Sequence, residues 1–185
     1  DGRYLFVGDA ASAKAWVGEG TRQIDLGGAM AMPGINDVHS HPWQGGLKTL
    51  YFCNFAFDAS PDEIAATLRG CLRANPDAEW IEGGQWTSDF FRNHDIPSPR
   101  AWLDAISPDV AIFLHDDATH NGWVNSPALA LGGIGRDTPD PEGGKIVRDA
   151  AGEPNGLLSE AAKRLVTDSK PAITIAQYRA AIAEA

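Results

Sequence analysis

Apolar positions in residues 4–32 come in short runs broken by glycine, namely 4–7, 22–26 and 29–32, with Gly27-Gly28 between the last two. Runs of that length predict β-hairpin strands, and the alanine-rich stretch 10–17 predicts a short helix. Next comes Met32-Pro33-Gly34-Ile35-Asn36-Asp37-Val38-His39-Ser40-His41, which reads as an apolar strand entered through a Pro-Gly turn and closing on two histidines.

Beyond His41 the pattern alternates between helix and strand. Ser60, Pro61 and Glu63 spell a capping box with proline at the first helical position, and Ile64, Ala65, Leu68 and Leu72 supply the apolar stripe. Asn75-Pro76 should stop that helix near Ala74. Residues 80–83 predict a strand, 99–106 a helix after Ser98, and Val110-Ala111-Ile112-Phe113-Leu114 a strand buried on both faces. A short helix over 127–131, capped by Asn125 or Ser126, precedes a hairpin built from 145–148, a turn at Gly152, and 156–158. Helical patterns resume over 160–166 and from Thr174 onward.

Alternation of this kind predicts an α/β fold with a parallel sheet or barrel over residues 33–185, carrying a hairpin insertion near 143–158, after a small β-rich portion over 1–32. The chain opens on Asp1-Gly2 without an initiator Met and stops inside a helical pattern, so both ends read as cut. A truncated barrel leaves strand edges exposed and should aggregate or melt without cooperativity.

Charge narrows the partners. The 185 residues carry a formal net charge of -10 with the acids spread along the chain, which disfavours nucleic-acid phosphates and anionic lipid and leaves a small-molecule partner. No apolar run approaches the roughly 18 residues of a membrane span. Cys53 and Cys71 lie far apart without a C-x-x-C spacing and read as two reduced thiols; the expected compartment is the cytoplasm, the alternative being a chain from which a signal peptide has been removed.

On a strand, His39 and His41 share a face, with Asp37 one step behind them. Two imidazoles on one face can chelate a single ion, but a catalytic zinc needs about three protein ligands and an open position, so the pair is an incomplete site. The alternative is two hydrogen-bonded surface histidines. Other polar residues follow predicted strands, at the edge where an α/β barrel gathers its active-site groups. Trp86 either walls a substrate cavity or packs in the core. His120 either meets substrate or orients the loop that carries Trp123 and Asn125, and Trp123 is a further substrate-binding candidate. Asp116 and Asp117 read as solvated turn residues, His94 as a surface residue, and His115 as packing at its strand end.

Pro33-Gly34-x-x-Asp37-x-His39-x-His41 resembles the first-strand signature of the amidohydrolase superfamily. Three later stretches resemble its family 3 branch, which includes YtcJ-like proteins and N-substituted formamide deformylases. They are His120-Asn121-Gly122-Trp123-Val124-Asn125-Ser126-Pro127, Asp137-Thr138-Pro139-Asp140-Pro141, and Gly152-Glu153-Pro154-Asn155-Gly156-Leu157-Leu158-Ser159-Glu160. The resemblance covers nearly the whole chain.

It implies a metal-dependent hydrolase with a TIM-like barrel and a small β-sandwich, of which residues 4–32 would form the first portion. It also implies a divalent metal, zinc by default, with His39 and His41 as its first two ligands and the catalytic aspartate beyond Ala185. Glu160 lies where related enzymes place a bridging carboxylate or carboxylated lysine; the alternative is a helix-start glutamate favoured by the helix dipole. Metal-activated water would cleave a carbon–nitrogen bond in a small amide, formamide or cyclic amide. The chain alone would be inactive, and a homo-oligomer is compatible with the pattern. The rival expectation is a metal- or ligand-binding barrel without catalysis.

Overall fold

A computed structural model describes residues 2–184 and divides the chain into two units between Ser40 and His41. In the first unit the Asp9 carboxylate accepts from Ser12 N at 2.9 Å and caps a helix, α1 (Ala10–Ala13), which runs on into a 3-10 turn, Lys14–Trp16. The strands expected over 4–7, 22–26, 29–32 and 32–41 are not formed, and residues 29–37 have no regular structure. The physical reason is the lack of a face to cover. Tyr4, Leu5, Val7, Ile24, Met30, Met32, Ile35 and Val38 are all exposed, and strand propensity yields pairing only where side chains pack against neighbours.

The second unit holds the core. In chain order its elements are α2 (Pro42–Tyr51), β1 (Cys53–Asn54), α3 (Pro61–Ala74), β2 (Trp80–Trp86), α4 (Phe90–Asn93), α5 (Pro99–Asp104), β3 (Ala111–Asp116) and β4 (Asn121–Val124). They continue with α6 (Ser126–Leu131), β5 (Gly144–Arg148), β6 (Pro154–Glu160), α7 (Arg164–Thr167) and α8 (Ile175–Glu184). The helix starts follow their capping chemistry. Glu63 accepts from Ser60 N at 2.8 Å while Ser60 Oγ accepts from Glu63 N, and α3 ends at Ala74 as expected. Ser98 caps α5, and Asn125 rather than Ser126 caps α6.

The strands form one six-stranded mixed sheet in the order β1-β2-β3-β4-β6-β5. β1, β2 and β3 run parallel, and the remaining pairings are antiparallel, with β5 and β6 making the expected hairpin. β1 and β4 are strands that the apolar pattern did not predict, being only two and four residues long. β3 sends Ile112 and Leu114 into a core with Ile64, Leu68, Ile81 and Trp123, and Ala111 and Phe113 into a second core with Val124, Leu129, Ile146 and Val166. A continuous apolar run is therefore what a strand covered on both faces requires.

Two glycines allow close approaches. A Cβ on Gly46 of α2 would stand 1.9 Å from the Ala181 carbonyl oxygen of α8, and one on Gly83 of β2 would stand 2.1 Å from the Cys53 carbonyl oxygen of β1. The cysteines correct the expectation of two free thiols. Cys53 and Cys71 form a disulfide that joins β1 to α3, their Cα atoms 6.1 Å apart. Sequence spacing concealed the bond because the contact is made by packing the helix over the strand. Among the described residues no helix is long and apolar enough to cross a membrane.

Candidate functional site

Glu82 interrupts the apolar stretch of β2, and the fold places it between β3 and the segment that precedes α8. Its Oε1 lies 2.8 Å from His115 Nε2, and its Oε2 accepts from Lys170 Nζ at 2.7 Å, with the carboxylate side chain only 9% exposed. The His115 ring stacks on Phe52 with centroids 6.0 Å apart and meets Phe113 edge-on at 4.8 Å. Burial pushes the Glu82 carboxyl upward, but hydrogen bonds from His115 and Lys170, together with the Lys170 charge, outweigh it and hold the group below the usual carboxylate range. Glu82 is thus ionised at neutral pH. The sequence signal for it was available, a lone acid in an apolar strand; Lys170 gave none.

A second pair forms where β4 and β6 meet. His120 Nδ1 lies 2.8 Å from Glu160 Oε1, both side chains largely exposed at 63% and 57%, and the backbone N–H of Glu160 donates to the His120 carbonyl at 2.8 Å. Two of the expected site residues are therefore brought together. Glu160 closes β6 with φ of 49°, a left-handed conformation that is uncommon outside glycine, and leads into the 3-10 turn Ala161–Lys163. It therefore stands at the N-cap of that turn, the helix-start place given as the alternative to a ligand. Thr119, at φ of 59°, accepts from Lys163 Nζ through its carbonyl, which braces the same corner.

A cavity of about 700 Å³ extends from Glu82 and His115 to Glu160, with Lys163, Arg164 and Lys170 on its wall. Acidic and basic side chains both line it, so it can orient a polar substrate by hydrogen bonds. A second cavity, about 570 Å³, shares Glu82 and Lys170 and is walled by Phe52, Cys53, Cys71 and Trp80.

The expected tryptophans occupy the core. Trp86 is buried and donates from Nε1 to the Leu114 carbonyl at 3.2 Å; Trp123 is fully buried and donates to the Pro99 carbonyl at 2.8 Å. Their rings meet edge-on with centroids 6.5 Å apart. Asp116 is corrected from solvated to fully buried: Oδ1 accepts from Asn121 N at 2.9 Å, and Oδ2 from Asn121 Nδ2 at 2.6 Å. His94, expected at the surface, is half-buried against the Phe90 ring at 4.6 Å.

His39 belongs to the first unit, where its backbone N–H donates to Asp37 Oδ1 at 3.1 Å. His41 opens the second unit as the residue before α2, and its carbonyl accepts from Gly45 N at 3.0 Å. Imidazole donors suit a first-row divalent ion. The donor number is short of a complete set, since among the described residues no three His, Cys, Asp or Glu side chains are grouped to hold a metal.

Comparison with known proteins adds the family. The sequence profile of the amidohydrolase family matches residues 22–185. The chain is 35% identical over 182 residues to Protein LONG AFTER FAR-RED 3 of Arabidopsis thaliana, covering 98% of this chain and 31% of that protein. It is 37% identical over 154 residues to the putative amidohydrolase YtcJ of Bacillus subtilis, covering 83% of this chain and 29% of the relative. With the N-substituted formamide deformylase of Arthrobacter pascens it shares 33% identity over 171 residues, covering 89% and 30%. It thus spans about a third of the length of these relatives. A solved structure of an uncharacterized metal-dependent hydrolase from Pyrococcus furiosus superposes with a TM-score of 0.52 at 23% identity, covering 96% of this chain and 34% of that one. The likeness is one of fold. The profile match and the ordered motifs together show that the chain belongs to the amidohydrolase family, in its family 3 branch.

Proposed function

We propose that this chain is part of a metal-dependent hydrolase that cleaves a carbon–nitrogen bond other than a peptide bond, in a small amide, formamide or cyclic amide. The observation that carries the reading is the family match over residues 22–185, which includes the His39-x-His41 pair. A relative named for deformylating N-substituted formamides supports the choice of bond. In this reading β1, β2 and β3 are early strands of a TIM-like barrel, and residues 1–32 contribute to a β-sandwich.

The family pattern would have His39 and His41 supply two nitrogen donors, and Glu160 a carboxylate donor, to a divalent ion, zinc by default, a set that the described residues do not group. Such an ion, when bound, lowers the pKa of water and polarises the scissile carbonyl. His120, held against Glu160 at 2.8 Å, fixes the direction in which that carboxylate presents its oxygens. Trp86 and Trp123 stiffen the wall behind the substrate rather than touching it, because both indole N–H groups are already spent on backbone carbonyls. Lys170 and His115 hold Glu82 charged at the far side of the larger cavity, where it can accept a hydrogen bond from a substrate N–H.

The test is metal content and hydrolysis of N-substituted formamides and cyclic amides by the whole protein and its His39→Ala/His41→Ala variant. The variant should lose bound metal and at least about a hundredfold in rate, consistent with the loss expected on removing metal ligation. Undiminished hydrolysis by the variant would overturn the reading.

A further inference from the structure

The disulfide that ties β1 to α3 joins two unequally buried residues. Cys53 is 4% exposed and packs with Ile64 and Leu68, whereas Cys71 is only partly buried at the edge of that cluster. Both residues border the cavity of about 570 Å³ that also exposes Phe52, Glu82 and Lys170. We propose that the Cys53–Cys71 bond is a thiol-exchange site, opened by a low-molecular-weight thiol that enters this cavity and attacks Cys71.

In the first step a thiolate forms a bond to Cys71 Sγ as the Cys53–Cys71 bond breaks. The electron pair leaves on Cys53, which takes a proton from solvent. A second thiolate then attacks the small-molecule sulfur of the mixed disulfide and releases Cys71 as a thiol. The protein has gained two electrons and two protons, and two small thiols have become one disulfide.

The bond sits where its opening has consequences. β1 is an edge strand of two residues, registered only through Cys53 with Gly83 and Asn54 with Gly84. It is held further by the packing of Cys53 with Ile64 and Leu68, by a hydrogen bond from Asn54 Nδ2 to the Lys48 carbonyl at 2.6 Å and by one from Phe55 N to the Gly84 carbonyl at 3.1 Å. Just before it, Phe52 stacks on His115, which is paired with Glu82. Cutting the disulfide therefore loosens the short edge strand and the ring that backs the buried ion cluster. An element with so few ties opens locally before the rest of the fold does. Oxidising surroundings keep the edge closed, and a thiol-rich environment releases it.

The experiment equilibrates the oxidised protein with glutathione and, separately, with dithiothreitol under native conditions. It then maps alkylated cysteines and backbone hydrogen exchange. The expected result is no alkylatable thiol at the start, a glutathione adduct on Cys71 with Cys53 free, and exchange at residues 53–55 faster by about tenfold or more while β3 amides stay protected. The melting temperature should fall by roughly 4–16 °C, and the Cys53→Ser/Cys71→Ser variant should match the reduced protein and no longer respond to thiol. The proposal is overturned by two free thiols in protein equilibrated with oxidised glutathione, by an adduct on Cys53, or by reduction that advances only as β3 exchange rises with it.

Discussion

At the scale of single residues the ion cluster and one asparagine carry most of what can be tested. Glu82 is flanked by His115 and Lys170 in a place water barely reaches, so its charged form depends on both partners. Its folded pKa lies below that of an unfolded glutamate, about 4.3. The stability it contributes is then fully present above that value and is lost as pH falls through the lower, folded value. Denaturant melts between pH 7 and pH 3 should show this loss in the native sequence and a flatter profile in Glu82→Gln. That variant should also be less stable by about 3 kcal/mol at pH 7, because it leaves His115 and Lys170 facing an uncharged partner. Parallel pH profiles for the two proteins would refute the role given to Glu82.

Asn125 is the second such residue. It is fully buried, its Oδ1 accepts from Ile112 N and Ala128 N, and its Nδ2 donates to the Ser107 and Val110 carbonyls. One side chain thus joins the start of β3, the loop before it and the start of α6. Asn125→Ala should cost about 3–5 kcal/mol in a urea melt, since it strands several buried polar groups at once. A loss under about 1 kcal/mol would mean that those groups find other partners.

Between elements, the tightest contact is that of α2 on α8. Gly46 faces the Ala181 carbonyl with no room for a Cβ, and Trp43 meets Tyr178 edge-on at 5.6 Å. Gly46→Ala improves helix propensity by about 1 kcal/mol, yet it drives a methyl group into backbone, which costs about 1–3 kcal/mol when a packed region must move. Overpacking should win, so thermal melts should show net destabilisation, while an exposed control such as Gly45→Ala should be neutral or stabilising. Elements of this size were legible in the sequence wherever their signals are local. The capping box at Ser60, the Ser98 cap and the apolar run at 110–114 each act within a few residues and fold as read. The 4–32 strands did not follow, because alternation says what a strand would bury and not whether a covering face exists. The Cys53–Cys71 bond and the Lys170–Glu82 pair, the latter 88 residues apart, were illegible for a related reason: only the packed sheet brings their ends together. Of the candidate site, the His39-x-His41 spacing stood out by adjacency, whereas the approach of His120 to Glu160 depends on β4 pairing with β6.

For the molecule as a whole, burial is distributed unevenly along the chain. Among the described residues, every buried hydrophobic one lies between Leu47 and Ala181, and residues 2–40 contribute none of them. Among the described residues, the backbone hydrogen bonds of that first stretch are confined to α1, the 3-10 turn after it and short turns, whereas β3 is bonded on both sides and covered on both faces. Local opening free energies range from near zero in exposed turns to the global value in such central strands, and exchange rates scale with them. Amides in residues 20–32 should therefore exchange by orders of magnitude faster than those of Ile112, Phe113 and Leu114 under native conditions. Proteases should cut first in the same stretch, and the fragment they leave should begin near His41, where the second unit starts. Protection of residues 20–32 equal to that of β3 would show that strands form there after all, and the β-sandwich portion expected from the glycine-broken apolar runs would then have to be restored to the fold.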